Sequence, residues 1–194
     1  MRVNYGQSVH GKEEIKAVTK VLKSSTQMGS NVIKLENSIK KLFSKKYGVM
    51  VNSGSSALLI AFEVLNLKKG SEVITPALNF GTTVSAIVKN GLVPKFVDIS
   101  RNTYCMNVEQ IEKLISKKTR AICAVNLLGN IPDLAMIKKI ANKYNLKIIE
   151  DSADTLGATI NNKNTGYYSD ISITSFYGSH IINGAGNGGM ICFN

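Results

Sequence analysis

The stretch RAICAVNLLGNIPDLAMIKKIANKYNLKIIED, residues 120–151, decides the fold. It opens with RAICAVN (120–126), an apolar run closed by an asparagine, and ends with KIIED (147–151), a second run closed by two carboxylates. Between them, DLAMIKKIANKYN (133–145) carries apolar residues at helical spacing, with Asp133 directly after Pro132. Strands that are apolar without alternation are buried on both faces, as in a parallel sheet covered by helices. Strand, helix and strand in about thirty residues make one β-α-β unit.

The same alternation extends outward in both directions. Upstream, GVMVN (48–52) leads into SSALLIAFEVLNL (55–67), where Leu58, Phe62 and Leu65 share one helical face. EVIT (72–75) and Pro76 precede TTVSAIVKN (82–90), and VPKFVD (93–98) precedes NVEQIEKLIS (107–116), with Asn107 as its N-cap. Downstream, ISITSF (171–176) and GMICF (189–193) complete the series. The pattern predicts an α/β fold: a three-layer α/β/α sandwich around a mostly parallel sheet of about seven strands. Ahead of it, KEEIKAVTKVLKS (12–24) and NVIKLENSIKKLFSKKY (31–47) read as amphipathic helices. The expected organisation is one domain over 1–194, with helices at about 11–47 and an α/β core at about 48–194. There is no repeat, low-complexity segment or linker.

Composition narrows the function classes. With 194 residues, 44% of them hydrophobic and 19% charged, the chain can bury a sizeable core. Apolar runs such as ALLIAF (57–62) are far too short to span a bilayer, so no membrane partner is expected. The start, MRVNYGQSVHGKEE, lacks the apolar core of a signal peptide, and the expected location is the cytoplasm. Cys105, Cys123 and Cys192 are widely spaced and odd in number, with no CxxC pair. Reduced buried thiols are expected, and no metal site. The net charge of +11 comes from clusters such as KKLFSKK (40–46), SKKTR (116–120) and IKKIANKYNLK (137–147). Each falls on the polar face of a helix or just beyond its end, which reads as a solvated face. No nucleic-acid motif is present, whereas a phosphate-bearing small molecule suits the charge.

In open α/β sheets ligands bind at the carboxyl ends of the strands. That rule selects SGSS, PALNFGTT, NLLGN, EDSAD and YGSH. Gly54, Ser55 and Ser56 sit at a strand-to-helix turn, where free N–H groups and the helix dipole make an anion cradle. No GK[ST] is found after it, so it is not a P-loop, and a plain serine cap is an equal alternative. Of Glu150, Asp151 and Asp154, a strand-end carboxylate can hold a protonated heteroaromatic nitrogen, or can simply cap a helix. Phe80 can stack on a flat ring or fill the core. His180 can transfer protons near neutral pH or serve a structural role. The glycines after it are expected to let the backbone turn closely beside a ligand.

Read in order, several segments resemble the large domain of the pyridoxal-phosphate fold type I enzymes that act on nucleotide-linked sugars, the DegT/DnrJ/EryC1/StrS family. They include MGSNVIKLENSIKKLFSKKYGVMVNSGSSAL, GSEVITPALNF, NGLVPKFVDI, IEDSADTLGA and SFYGSH followed by GNGGM. The resemblance implies that Gly54, Ser55, Ser56 and Ser175 bind the phosphate of pyridoxal or pyridoxamine phosphate. It implies that Phe80 stacks on the pyridine ring and that Asp151 pairs with the ring nitrogen. It places His180 where most of the family has the lysine of the internal Schiff base, and imidazole has no primary amine to make one. The branch with histidine there comprises the C-3 dehydratases of 4-keto-6-deoxy sugar nucleotides, which use pyridoxamine phosphate. Asp154, among the cofactor-site residues, stands where the aminotransferases commonly have glutamine. NFGTTV, NGLVPKFVD and LLGNIPDL also read closer to that branch. The loop HIINGAGNGG is one residue longer than usual, and Asn187 stands where glutamate is common. The resemblance further implies a nucleotide-linked sugar substrate, a homodimer, and a smaller C-terminal domain beyond the residues present. Two alternatives stay open: a sugar aminotransferase using another lysine, with Lys163 nearest in sequence, and a non-catalytic relative.

Overall fold

The computed structural model describes residues 8–194. Two helices come first, α1 (Lys12–Ser24) and α2 (Ser30–Leu42), followed by β1 (Tyr47–Val51), α3 (Gly54–Val64) and β2 (Glu72–Pro76). Next are α4 (Gly81–Lys89), β3 (Val93–Val97), a 3-10 turn at Val108–Gln110 and the single-turn α5 (Ile111–Leu114). β4 (Thr119–Val125), α6 (Leu134–Tyr144) and β5 (Lys147–Asp151) form the β-α-β unit expected over 120–151. A two-stranded hairpin, β6 (Thr159–Ile160) and β7 (Lys163–Asn164), precedes β8 (Ile171–Ser175) and β9 (Gly189–Phe193).

The seven larger strands form one sheet in the order β1-β9-β8-β5-β4-β2-β3. β9 runs antiparallel to both neighbours, and the other six point the same way. Six carboxyl ends and the start of β9 therefore share one edge. Alternate residues of each strand face opposite layers. Val73, Cys123, Ile149 and Ile173 meet Leu58 and Phe62 of α3 and Ile87 of α4. Ile74, Ile122 and Ile148 meet Leu134, Ile137 and Ile140 of α6. On that second face, Ile39 and Phe43 at the end of α2 cover Met190 and Cys192 of β9. The result is the expected three-layer sandwich. All three cysteines are free and buried. Burial pushes the Cys123 thiol well up and the Cys192 thiol to about 12, so both stay protonated and inert.

Every expected sheet strand is present to within one residue at each end. Local chemistry sets the helix ends. The Ser53 hydroxyl accepts from the Ser56 N–H at 3.1 Å, and Asp133 accepts from the Met136 N–H at 2.9 Å. α6 stops at Asn145, whose φ of 52° is left-handed. Three expectations change, and one hairpin is added. β1 and β3 are edge strands, so Tyr47, Val49, Val93 and Phe96 are exposed rather than buried on both faces. The helix expected at 31–47 ends at Leu42, and Tyr47 opens β1. Asn107 does cap, accepting from the Glu109 N–H, but the expected helix is reduced to a 3-10 turn and one α turn. The hairpin turns on Asn161 and Asn162, both left-handed, a turn signal present in the sequence as an Asn-Asn pair.

Close approach dictates glycine at several positions, Gly166 and Gly189 among them. A Cβ on Gly189, where β9 starts, would collide with the Ser53 carbonyl and the Gly54 nitrogen. Gly189→Ala should therefore cost about 1–3 kcal/mol through overpacking. Thermal melting checks this, and an unchanged midpoint would mean that the two backbones do not touch.

Candidate active site

The sheet's carboxyl edge gathers most of the residues singled out from sequence. α3 starts there, with Gly54 buried, Ser56 half-buried and Ser55 exposed. A Cβ on Gly54 would lie 2.7 Å from that of Ser175, so the end of β8 abuts the start of α3. The Ser175 hydroxyl accepts from the Tyr177 N–H at 3.3 Å. Ser53 has taken the Ser56 N–H, which leaves those of Gly54 and Ser55 among the orphan donors of the first turn. Two backbone donors, the hydroxyls of Ser55, Ser56 and Ser175, and the positive end of the helix dipole suit a phosphate.

Asp151 closes β5 on the same face of the sheet. Its Oδ1 accepts from the Ala153 N–H and its Oδ2 from the Thr83 hydroxyl, each at 3.2 Å. Burial pushes its carboxyl group up to about 6, with the Ala153 and Thr83 hydrogen bonds opposing the rise. Among the described residues no cation pairs with it. A buried carboxylate without a counter-charge is costly, and a protonated ring nitrogen would supply the missing partner. Thr83 lies in the first turn of α4, and Phe80 is the residue that precedes that helix. The Phe80 side chain is not a core aromatic: it is 74% exposed, at the edge where a flat ring would sit.

His180 is only 18% exposed, with Nε2 3.6 Å from Oδ1 of Asp154. Its Nδ1 is buried and has no hydrogen-bond partner. Asp154 Oδ2 accepts from the Leu128 N–H at 3.1 Å, which ties the loop after β4 to the histidine. The Tyr177 ring stands edge-on at 6.0 Å. With Asp154 beside Nε2, the tautomer protonated on Nε2 would leave Nδ1 as the proton acceptor. The loop beyond it is closed at its base by Phe176, which bonds Gly184 and Gly188 through the backbone. Its left-handed residue is Ala185 rather than one of its glycines. From the other end of the chain, Ser8 donates to the Gly178 carbonyl and His10 hydrogen-bonds Asn183.

Glu150, next to Asp151, faces the opposite layer. It accepts from Ser152 at 2.6 Å, Ser172 at 2.8 Å, Asn126 at 3.1 Å and Ser169 at 3.2 Å. Lys45, in the cluster expected to be solvated, is buried instead, its ammonium donating to the Ser169 carbonyl at 2.5 Å. Burial holds its pKa down, opposed by the charges of Glu150 and Asp170. This set ties the carboxyl ends of β4 and β5 to the start of β8. Lys163 is placed elsewhere, in the small hairpin, with its ammonium 3.8 Å over the Tyr167 ring. Thr83, Asn126 and Ser152 fall within the segments selected at the strand ends but are not singled out individually, and Lys45 lies outside those segments. Period-two alternation alone could have separated Glu150 from Asp151.

In sequence and in fold the chain is similar to known proteins. A GDP-4-keto-6-deoxy-D-mannose 3-dehydratase of Escherichia coli O55:H7 is 39% identical over 176 residues, which cover 87% of this chain and 45% of that protein. The structure of the E. coli GDP-4-keto-6-deoxy-D-mannose-3-dehydratase with bound hydrated PLP superposes with a TM-score of 0.91 at 36% identity. That match covers 100% of this chain and 52% of the other. A putative sugar aminotransferase from Streptococcus pneumoniae in its PMP form gives 0.93 at 26% identity, with 100% and 53% covered. The chain thus spans about half the length of the curated relatives it matches. The sequence profile of one family matches residues 8–194, and the chain belongs to that family, the DegT/DnrJ/EryC1/StrS aminotransferases.

Proposed function

We propose that the chain is the cofactor-binding large domain of an enzyme that removes the C3 hydroxyl from a 4-keto-6-deoxy sugar nucleotide. The observation that carries this reading is His180, with a buried and unpaired Nδ1 beside Asp154, at the position where the family resemblance expects a lysine. The residues present fit pyridoxamine phosphate. The α3 start and Ser175 would hold the phosphate, the exposed Phe80 ring would cover the pyridine, and Asp151 would face the ring nitrogen. When bound, that group supplies an amine for the C4 ketone and a ring that accepts electrons.

The protein's own part is to position groups and move protons. Asp151, without a cation of its own, favours the protonated ring nitrogen and so the electron-accepting state. In its neutral form His180 takes a proton onto Nδ1, and Asp154 stabilises the imidazolium through Nε2. That imidazolium can return the proton to the departing C3 hydroxyl, which leaves as water. A sugar aminotransferase is the second reading, supported by the likeness to the S. pneumoniae protein. It needs a lysine, and Lys163 is engaged with Tyr167.

An absorbance titration with pyridoxamine phosphate and, separately, pyridoxal phosphate, each followed by borohydride, separates the readings. The expected result is saturable binding of both with no covalent capture. Capture on a lysine would return the chain to the aminotransferases, and binding of neither would favour a non-catalytic relative.

A further inference from the structure

The amino end of the sheet carries a second concentration of charge. The turn Lys68–Ser71 enters β2, Lys117 and Lys118 precede β4, and Arg120 is the second residue of that strand. Together they line an open cleft of about 340 Å³. Strand starts lie at the edge opposite the candidate active site, so the two places are distinct.

The cleft is braced by backbone. The Glu72 N–H donates to the Lys118 carbonyl at 2.9 Å, which joins the two turns. The Ser71 N–H closes its own turn on Lys68 at 3.0 Å, and the Gly70 N–H reaches the Gly91 carbonyl at 2.8 Å. Arg120 is held as well: its Nη1 donates to the carbonyls of Lys117 at 3.0 Å and Thr119 at 2.7 Å. The neighbouring carboxylate, Glu72, offsets part of this charge but is bonded to other partners. Glu72 Oε2 is taken by Ser116 at 2.6 Å, Thr119 at 3.0 Å and Lys95 at 3.4 Å, and Glu72 is not part of the lining. Among the described residues none of the five cations forms an ion pair.

We propose that this cleft binds a small polyanion carrying two or more linked phosphate groups. Five like-charged side chains line this one cleft, and their mutual repulsion is unrelieved while the cleft is empty. A diphosphate relieves that repulsion, with the guanidinium, held through Nη1, offering its Nη2 and Nε donors and the lysines acting as mobile point charges. The volume falls at the lower end of small-ligand sites, roughly 300–1,000 Å³. Two turns enclosing a concavity suit a compact ligand better than a nucleic-acid strand, which would call for an extended basic stripe.

Inorganic pyrophosphate titrated into the isotope-labelled chain, followed by calorimetry and backbone amide shifts, tests the proposal. One saturable site is expected, with shifts at Gly70, Ser71 and Lys118 distinct from any at Ser55 and Ser56. Affinity should fall steeply with salt. The double variant Lys118→Glu/Arg120→Glu should bind at least about 10-fold more weakly, since each lost charge contact is worth on the order of 1 kcal/mol or more. Lys68→Gln/Lys69→Gln, on the other turn, should weaken binding as well should the first variant misfold. A nucleoside diphosphate that binds no more tightly than pyrophosphate would identify the phosphates alone as the ligand; tighter binding would add a base contact to the same site. The proposal is overturned by shifts confined to Ser55 and Ser56, by unsaturable binding as on a solvated lysine face, or by single-stranded RNA outcompeting pyrophosphate at Gly70 and Lys118.

Discussion

The His180→Lys variant should capture pyridoxal phosphate as a borohydride-stable adduct approaching one per chain, where the natural chain captures none. The expectation rests on where the side chain stands. His180 is largely buried at the carboxyl edge, on the loop tied down by Ser8 and His10 and beside the loop that carries Asp154. An imidazole there can exchange a proton but has no primary amine to bond the cofactor aldehyde. A lysine at the same position has the amine. Asp154 sets the second half of the expectation, because a carboxylate beside an ammonium favours its charged, unreactive form. Adding Asp154→Gln to His180→Lys should therefore speed capture further. Peptide mapping by mass spectrometry reads both effects. A folded His180→Lys variant that captures nothing would show that position 180 does not face the cofactor, and the dehydratase reading would lose its base.

The fold was legible because its inner strands are apolar on both faces. RAICAVN and KIIED each supply one layer with Ile122 and Ile148 and the other with Cys123 and Ile149, a demand that only a covered sheet meets. Edge strands obey a weaker rule. GVMVN and VPKFVD look as apolar as their neighbours in sequence, yet one flank of each has no strand beside it. For the candidate site, residue type alone leaves Asp151 and His180 open to structural readings, and it is the family resemblance that singles them out. The site was obscure where a role depends on distant partners. Thr83 is ordinary in its own helix and matters only because β5 brings Asp151 within 3.2 Å. Lys45 sits in a run of lysines that reads as solvent-facing, but α2 stops at Leu42 and the chain turns inward. No local pattern marks either, because burial of a polar group is decided by the partners that the fold assembles around it.

Asp151→Asn should make the chain more stable and less able to bind. Its carboxyl group titrates at about 6 in the fold and at about 3.9 in an unfolded chain. The folded state therefore holds the extra proton between those values. Stability from this group is fully present below about pH 4 and is lost as pH rises through about 6. A rise of that size corresponds to roughly 3 kcal/mol, which the natural chain forfeits at neutral pH by keeping a buried charge without a partner. Asparagine keeps the shape and carries no charge. The variant should gain on the order of 2–3 kcal/mol at pH 8, a rise of roughly 4–12 °C in melting temperature, and nothing at pH 4. Pyridoxamine phosphate should act in the opposite sense. It should stabilise the natural chain by about 2.7 kcal/mol at a hundredfold excess over its dissociation constant. With Asp151 facing the ring nitrogen as proposed, the variant should need about 10- to 100-fold more, since a hydrogen bond to a charged group is worth roughly 1.5–3 kcal/mol. Thermal melts at both pH values, with and without the ligand, separate three cases. A variant no more stable at pH 8 would mean that the carboxylate already has a compensating partner. A stabilised variant that binds as well as the natural chain would mean that Asp151 faces something other than the cofactor. Gain without ligand and loss with it would mark Asp151 as a charge that the fold leaves unpaired for the ligand to meet.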